Sequence, residues 1–269
     1  GRSSGQACIL VLDPGAAQSF LVNNGATIDA PDCEIHVKST ASPASIFNSG
    51  TSLDTERICI EGANIIDNGG HHPNTQLSCK TADDPYAGKL TTPASSVCDV
   101  NNANYSGAKV TLNPGVYCGW INFNAGVDVD FNPGVYVVKG GGWNVNGGTW
   151  NGNGVVFYFA DESKIQFNSA VAATLKAPSG GPYDGIIIFE KEGLAHSPFV
   201  LDDSKGFDLE GLIYLPSRDA IFNGGSKATS KTLTMVVNTL ILDQTNWTLE
   251  SVSSGIGASS GSKAVYLVN

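Results

Sequence analysis

The sequence predicts an all-β chain wound as a right-handed parallel β-helix, a solenoid with coils of about 20–25 residues. Three observations predict it. A Φ-Asn-x-Gly pattern recurs at Val22-Asn23-Asn24-Gly25, Phe47-Asn48-Ser49-Gly50, Phe123-Asn124-Ala125-Gly126, Val145-Asn146-Gly147-Gly148 and Phe222-Asn223-Gly224-Gly225. A second register sets an apolar strand after a glycine at Gly115, Gly134, Gly154, Gly185 and Gly211. The composition agrees: 32 Gly, one Met and only 15 % charged residues suit short strands and tight turns, and no amphipathic helix is evident.

Weaker copies of the first pattern complete the period. Phe167-Asn168-Ser169-Ala170 lacks the glycine, and Leu201-Asp202-Asp203-Ser204 and Leu242-Asp243-Gln244-Thr245 carry Asp for Asn. The Φ positions step by 20 to 25 residues, apart from a gap of 76, about three coils, and one of 34, a coil with an insertion. The post-glycine strands then stack in parallel about 4.8 Å apart. Asn and Gly suit the corners, because Gly needs no Cβ clearance and Asn tolerates the left-handed conformation. Asn in the same corner of successive coils is also expected to pair amide to carbonyl along the stack.

In the post-glycine strand both alternations are apolar. Val116, Val135, Val155, Ile186 and Leu212 form one set, and Tyr117, Tyr136, Val156, Ile187 and Ile213 the other. A solenoid strand has only one inner face, so the outer stripe needs a cover, and one supplied by the same chain is favoured over a second subunit. Residues 61–110, rich in Pro, Gly and Asp, read as an irregular excursion pinned by disulfides within a single 1–269 domain.

A net charge of −10 argues against nucleic acid as a partner, since phosphate neutralisation needs clustered Lys and Arg. No apolar run reaches the ~20 residues of a membrane span, so a soluble chain is expected. The opening GRSSGQ has no signal-peptide pattern, and any export signal or anchor is expected to have been removed. Cys8, Cys33, Cys59, Cys79, Cys98 and Cys118 are even in number with no C-x-x-C, which favours disulfides in an oxidising compartment, with the connectivity open.

The stretches "ACILVLDPGAAQSFLVNNGATIDAPDCEIHV" (7–37), "CKTADDPYAGKLTTP" (79–93), the paired "NPGVYCGWINFNAG" and "NPGVYVVKGGGWNVNGG", and "SGGPYDGIIIFE" (179–190) resemble the C-terminal Gly/Ser-rich region of TadG-type proteins of the Tad (Flp) pilus-assembly systems. The resemblance implies a bacterial module outside the cytoplasmic membrane and carries no catalytic residues. The chain departs from that family at Trp120, Trp143 and Trp150, at Asp128 and Asp130, and at "FEKEGLAHSP" followed by "LDDSKGFDLEG".

Active sites on a β-helix are assembled across coils, so chemistry must be sought in residues about one coil apart. Asp202, Asp203, Asp208 and Glu210 are the candidate acids for glycoside hydrolysis, against the alternative that the first two only replace a corner Asn. Asp128 and Asp130, outward between Val127, Val129 and Phe131, are candidates for holding Ca²⁺, the one cofactor suggested, and Arg218 or Lys191 for the base of a polysaccharide lyase. His71, His72 and His196 read as exposed loop residues. Trp143 aligns with Ile121 and Ile165 as core, whereas Trp120 and Trp150 are candidate platforms for sugar rings. Asn104 and Asn246 open N-x-S/T sites, relevant only in a glycosylating host.

Three functions compete. The leading one is an exported, non-enzymatic solenoid, pilus-associated or adhesive at the bacterial surface, with polysaccharide or other surface components as partners. The second is a carbohydrate-active enzyme, hydrolase or lyase, and the third a glycan-binding module without catalysis.

Overall fold

A computed structural model describes residues 7–202, 206–223, 227–230 and 233–249. Every regular element among them is a β-strand, and each pairing between named strands is parallel. The chain is a β-solenoid of about ten turns. Each complete coil has three faces, seen in the coil built from Ala7–Val11 on the first, Phe20–Asn23 on the second and residues 27–30 on the third.

The coils do not stack in sequence order. The solenoid starts in mid-chain at residues 98–112 and climbs through 249, where the N-terminal coil takes over: Ile9 pairs with Met235, Phe20 with Leu240 and Thr27 with Asn246. Residues 33–55 follow, and 57–77 close the far end. Every coil offers the same inner apolar stripe, so nothing in the repeat itself dictates which coil sits on which.

The lumen is filled by one side chain per strand position. Ile121, Trp143 and Ile165 form one inward file, as their alignment predicts, and all are at most 3 % exposed. Trp150 packs edge-on against Phe123 and Phe131 at 5.5 and 4.9 Å. Tyr136 closes its own polarity problem, its hydroxyl donating to the carbonyls of Leu112 and Asn132. Each such buried side chain contributes about 1.5–3 kcal/mol.

The corners differ from expectation in one respect. The left-handed residues are the x and Gly of the pattern, as at Asn24–Gly25 (φ 48° and 74°) and Ala125–Gly126 (56° and 70°). The Asn before them serves the amide ladder instead: Asn48 Nδ2 donates to Asn23 Oδ1 at 3.0 Å and Asn68 Nδ2 to Asn48 Oδ1 at 2.7 Å.

The excursion in 61–110 contracts to about residues 80–99, because Ile65–Asn68, Thr75–Leu77, Val100–Asn101, Asn104–Tyr105 and Lys109–Leu112 are strands of the two end coils. What remains is a strap that returns along the outside of the first face from one end of the stack to the other. Its contacts descend coil by coil. The Ala82 amide donates to His36 Nδ1, Tyr214 Oη to Asp84 Oδ2 and the Gly88 amide to Glu192 Oε1. Lys139 Nζ then donates to the Ser95 carbonyl, and Cys98 bonds Cys118. Beneath it lies a second apolar cluster, Leu10, Val116, Val137, Val156, Tyr158, Ile186, Phe189, Leu212, Tyr214 and Val236, onto which Tyr86 and Leu90 of the strap pack. This is the intrachain cover that the doubly apolar strand requires. One assignment changes: Gly134 pairs with Val155, not with Gly154, so Val155 joins the inward set and Val156 the outward one.

The three disulfides, Cys8–Cys33, Cys59–Cys79 and Cys98–Cys118, each close a loop of about one coil, and the last two anchor the two ends of the strap. No helix among the described residues is long and apolar enough to cross a membrane.

Candidate binding face

A bulge after Cys118 turns Trp120 out of the strand Gly115–Phe123 onto the second face, where its amide donates to Asn102 Oδ1 at 3.0 Å. Its neighbour in the next coil is Gly142, at φ +153°. A Cβ there would stand 2.5 Å from the Lys164 carbonyl oxygen and 3.3 Å from the indole ring, so glycine is what lets the ring lie over the backbone. Trp120 is 44 % exposed. Two residues on, pointing the same way, Asn122 donates to Asn104 Oδ1 at 2.8 Å and accepts from Asn144 Nδ2 at 2.9 Å. At the corner, Asn168 and Asn146 continue as a second ladder to Asn124. An aromatic plane therefore stands beside amides repeated at about 4.8 Å.

Around that corner the third face carries four of the predicted acids in one polar field. Asp128 and Asp130 point outward as expected, with Val129 and Phe131 buried between and after them. Asp130 pairs with Lys109 at 2.6 Å, and Asp128 accepts from the hydroxyl and amide of Thr149 at 2.7 and 2.9 Å. The Thr149 hydroxyl, then its amide, hold the Asp128 carboxyl below the usual range. Asp130, Asn151, Thr174 and Asp208 occupy successive rungs of one file, and Glu210 binds Lys176 at 2.9 Å. Between these coils lies an open cleft of about 520 Å³ lined by Asp130, Asn132, Asn151, Asn153, Thr174 and Lys176. Asp202 is exposed at a corner, and Asp203 lies outside the described residues.

Several expectations are corrected. Trp150 is 1 % exposed in the lumen and offers no face to a sugar. Arg218 is fully buried, its guanidinium donating to Glu190 at 2.8 Å and to the carbonyls of Asp161, Glu162 and Ser163, so it is a core tie and not a solvent-facing base. His72 is also not a free loop residue: it stacks on Phe47 at 4.1 Å and closes one end of the lumen. Asp128 and Asp130 are engaged by Thr149 and Lys109, and no group of three or more His, Cys, Asp or Glu is gathered among the described residues.

One cluster was invisible to sequence reading. Asn238, 5 % exposed, places Nδ2 at 2.8 Å from Asp219 Oδ1, 3.3 Å from Asp13 Oδ2 and 3.5 Å from His196 Nδ1. Asp13 and Asn238 are 225 residues apart and meet only because the N-terminal coil stacks on the C-terminal one. The two carboxyls converge, but the amide nitrogen fills the gap a water or glycosidic oxygen would need. Burial pushes the Asp13 carboxyl up, yet the Gly15 and Ala16 amides and Asn238 outweigh it and leave it below the usual range. Asp67, Asp128 and Asp161 are likewise held low by hydrogen-bond donors, the opposite of what a general acid at a glycosidic bond requires.

Comparison of the chain with protein-family models, with curated proteins and with solved structures finds no match.

Proposed function

We propose that the protein is an exported, non-enzymatic solenoid module, adhesive or pilus-associated at the bacterial cell surface, that holds polysaccharide against the Trp120 face. The single observation that carries this reading is the exposed indole lying over Gly142 beside the Asn104–Asn122–Asn144 ladder. A ring plane takes the apolar face of a sugar, and side-chain amides supply both donors and acceptors to its hydroxyls. Repetition along the stack matches a repeating polymer better than a single small ligand. Three disulfides support placement in an oxidising compartment, as does the resemblance to TadG-type regions.

Three of the four acids on the third face argue for binding without cleavage, because Asp130, Asp128 and Glu210 are engaged locally by Lys109, Thr149 and Lys176 on an outward face. The test is a panel of neutral and acidic polysaccharides read for both retention and breakdown. Retention by the wild type, lost by at least about tenfold in Trp120→Ala and kept in Asp208→Asn, is expected. Release of reducing ends or unsaturated uronates would instead place the protein among carbohydrate-active enzymes.

A further inference from the structure

Trp120 shares its outward file with a lysine. It stands in register with Gly142, and Gly142 with Lys164; two positions along the same strands Asn122 meets Asn144, and Asn144 meets Gln166. Ile165 is buried, so strand alternation turns Lys164 and Gln166 outward with Trp120 and Asn122. Two rungs of about 4.8 Å set the Lys164 backbone about 10 Å from that of Trp120. The position between them is Gly142, which has no side chain and lies under the indole, so Lys164 is the next side chain beyond the ring. Lys164 is half-buried and makes no ion pair or side-chain hydrogen bond among the described residues. On the described second-face strands it is the only solvent-facing lysine or arginine, whereas Lys109 and Lys176 on the third face are each held by a carboxylate.

We infer that the Trp120 face takes an acidic polysaccharide, Lys164 pairing with the carboxylate of a uronate residue while the indole carries the adjoining sugar ring. The inference rests on the reading of this face as a glycan platform and adds the charge of the glycan. A lysine ammonium is a compact point charge with three donors, free here to meet an anion, and the amide of Gln166 beside it offers a donor and an acceptor to neighbouring hydroxyls. The surroundings limit how densely charged the ligand is. The chain carries a net charge of −10, and Glu162 stands exposed two residues before Lys164, so a densely sulfated polymer meets repulsion around its one cation. The ligand class is therefore a polymer whose carboxylates are separated by neutral sugars.

Titration calorimetry of the whole chain with hyaluronan, which carries a uronate on alternate sugars, provides the test, read beside its carboxyl-reduced neutral form and beside heparin. Wild type is expected to bind hyaluronan about fivefold more tightly than the reduced form, with the difference fading in about 0.5 M salt. Lys164→Gln, an outward change expected to melt as wild type, should bind both forms as wild type binds the reduced one, and Lys164→Arg should keep the preference. Trp120→Ala should lose both forms. Equal binding of the two forms by wild type, a preference that survives in Lys164→Gln, or tighter binding of heparin would overturn the inference while leaving the glycan platform standing, provided Trp120→Ala still abolishes binding. No binding of either form, or binding untouched by Trp120→Ala, would overturn the inference together with the reading on which it rests.

Discussion

Replacing Tyr214 by Phe removes one hydroxyl and leaves the ring in place, and it should loosen the centre of the strap without unfolding the solenoid. Tyr214 is 2 % exposed, and its hydroxyl donates to Asp84 Oδ2 at 2.8 Å while Tyr86 packs edge-on at 5.6 Å. Burial first, and Asp84 beside it, push the phenol far above its ordinary value, so it remains a donor at every working pH. A hydrogen bond to a charged partner contributes about 1.5–3 kcal/mol, and because Asp84 is only half-buried the lower end applies. Disulfides at Cys79 and Cys98 hold both ends of the strap, so the loss should appear as local opening. About 1.4 kcal/mol is a factor of ten, which predicts roughly tenfold faster amide exchange at Tyr86, Gly88 and Lys89, all hydrogen-bonded in the strap. Hydrogen exchange by mass spectrometry reads this directly. Unchanged exchange there, or equal acceleration over the whole chain, would refute the reasoning.

The other predictions concern the core and its pH dependence. Trp150→Ala should cost about 3–5 kcal/mol in denaturant unfolding, and Trp120→Ala under ~1 kcal/mol, because only the first leaves a cavity. Glu190→Gln should cost about 3–5 kcal/mol by leaving the buried Arg218 guanidinium uncompensated, whereas adding Arg218→Met to Glu190→Gln should recover part of that loss in the same melt. His36 accepts the Ala82 amide on Nδ1 and meets Glu34 on Nε2 at 2.7 Å, with Arg57 on the same carboxylate at 2.6 Å. Burial pushes its pKa below 6.5, with Arg57 and Lys38 adding to the effect against the pull of Glu34. The neutral ring is thus the form the fold prefers, so its contribution is complete above about pH 6.5 and declines as pH falls through the lower folded value. Melting temperatures from pH 8 to 5 should show this decline in wild type and lose it in His36→Gln.

Much of the fold was legible because it rests on periodicity. Phe123, Val145 and Phe167 announce a coil of 22 residues by spacing alone, and the partnering of Ile121, Trp143 and Ile165 follows from it. What could not be read was stacking order, since Ile9 fits over Met235 no better by sequence than Ile35 does. The Asp13–Asn238–Asp219 cluster was lost for that reason. Trp150 was misplaced because Val129, its register partner, lies one bend further round the coil than an alignment on Asn suggests. Arg218 looked available because charge marks a residue as surface, and nothing local reveals the carboxylate and three carbonyls that accept its donors.

The strap writes its footprint into the sequence of a strand it never pairs with. Along the outward file of the first face the register runs Val116, Val137, Tyr158, Phe189, Tyr214, Val236 and Leu10, then His36, Cys59 and Gln76. The first seven are apolar and lie under the strap, and polarity returns at His36, where Ala82 marks the point at which the strap joins the sheet. Six steps of about 4.8 Å separate Val116 from Leu10, roughly 29 Å, well within reach of the residues between Ala82 and Cys98 even if they are not fully extended. A covered solenoid face therefore costs the sequence its alternation over just the coils that are covered. Outside that footprint the outward positions are free to be Asn, Thr, Asp or Trp120, which is why binding chemistry is to be sought on the second and third faces and not on the first.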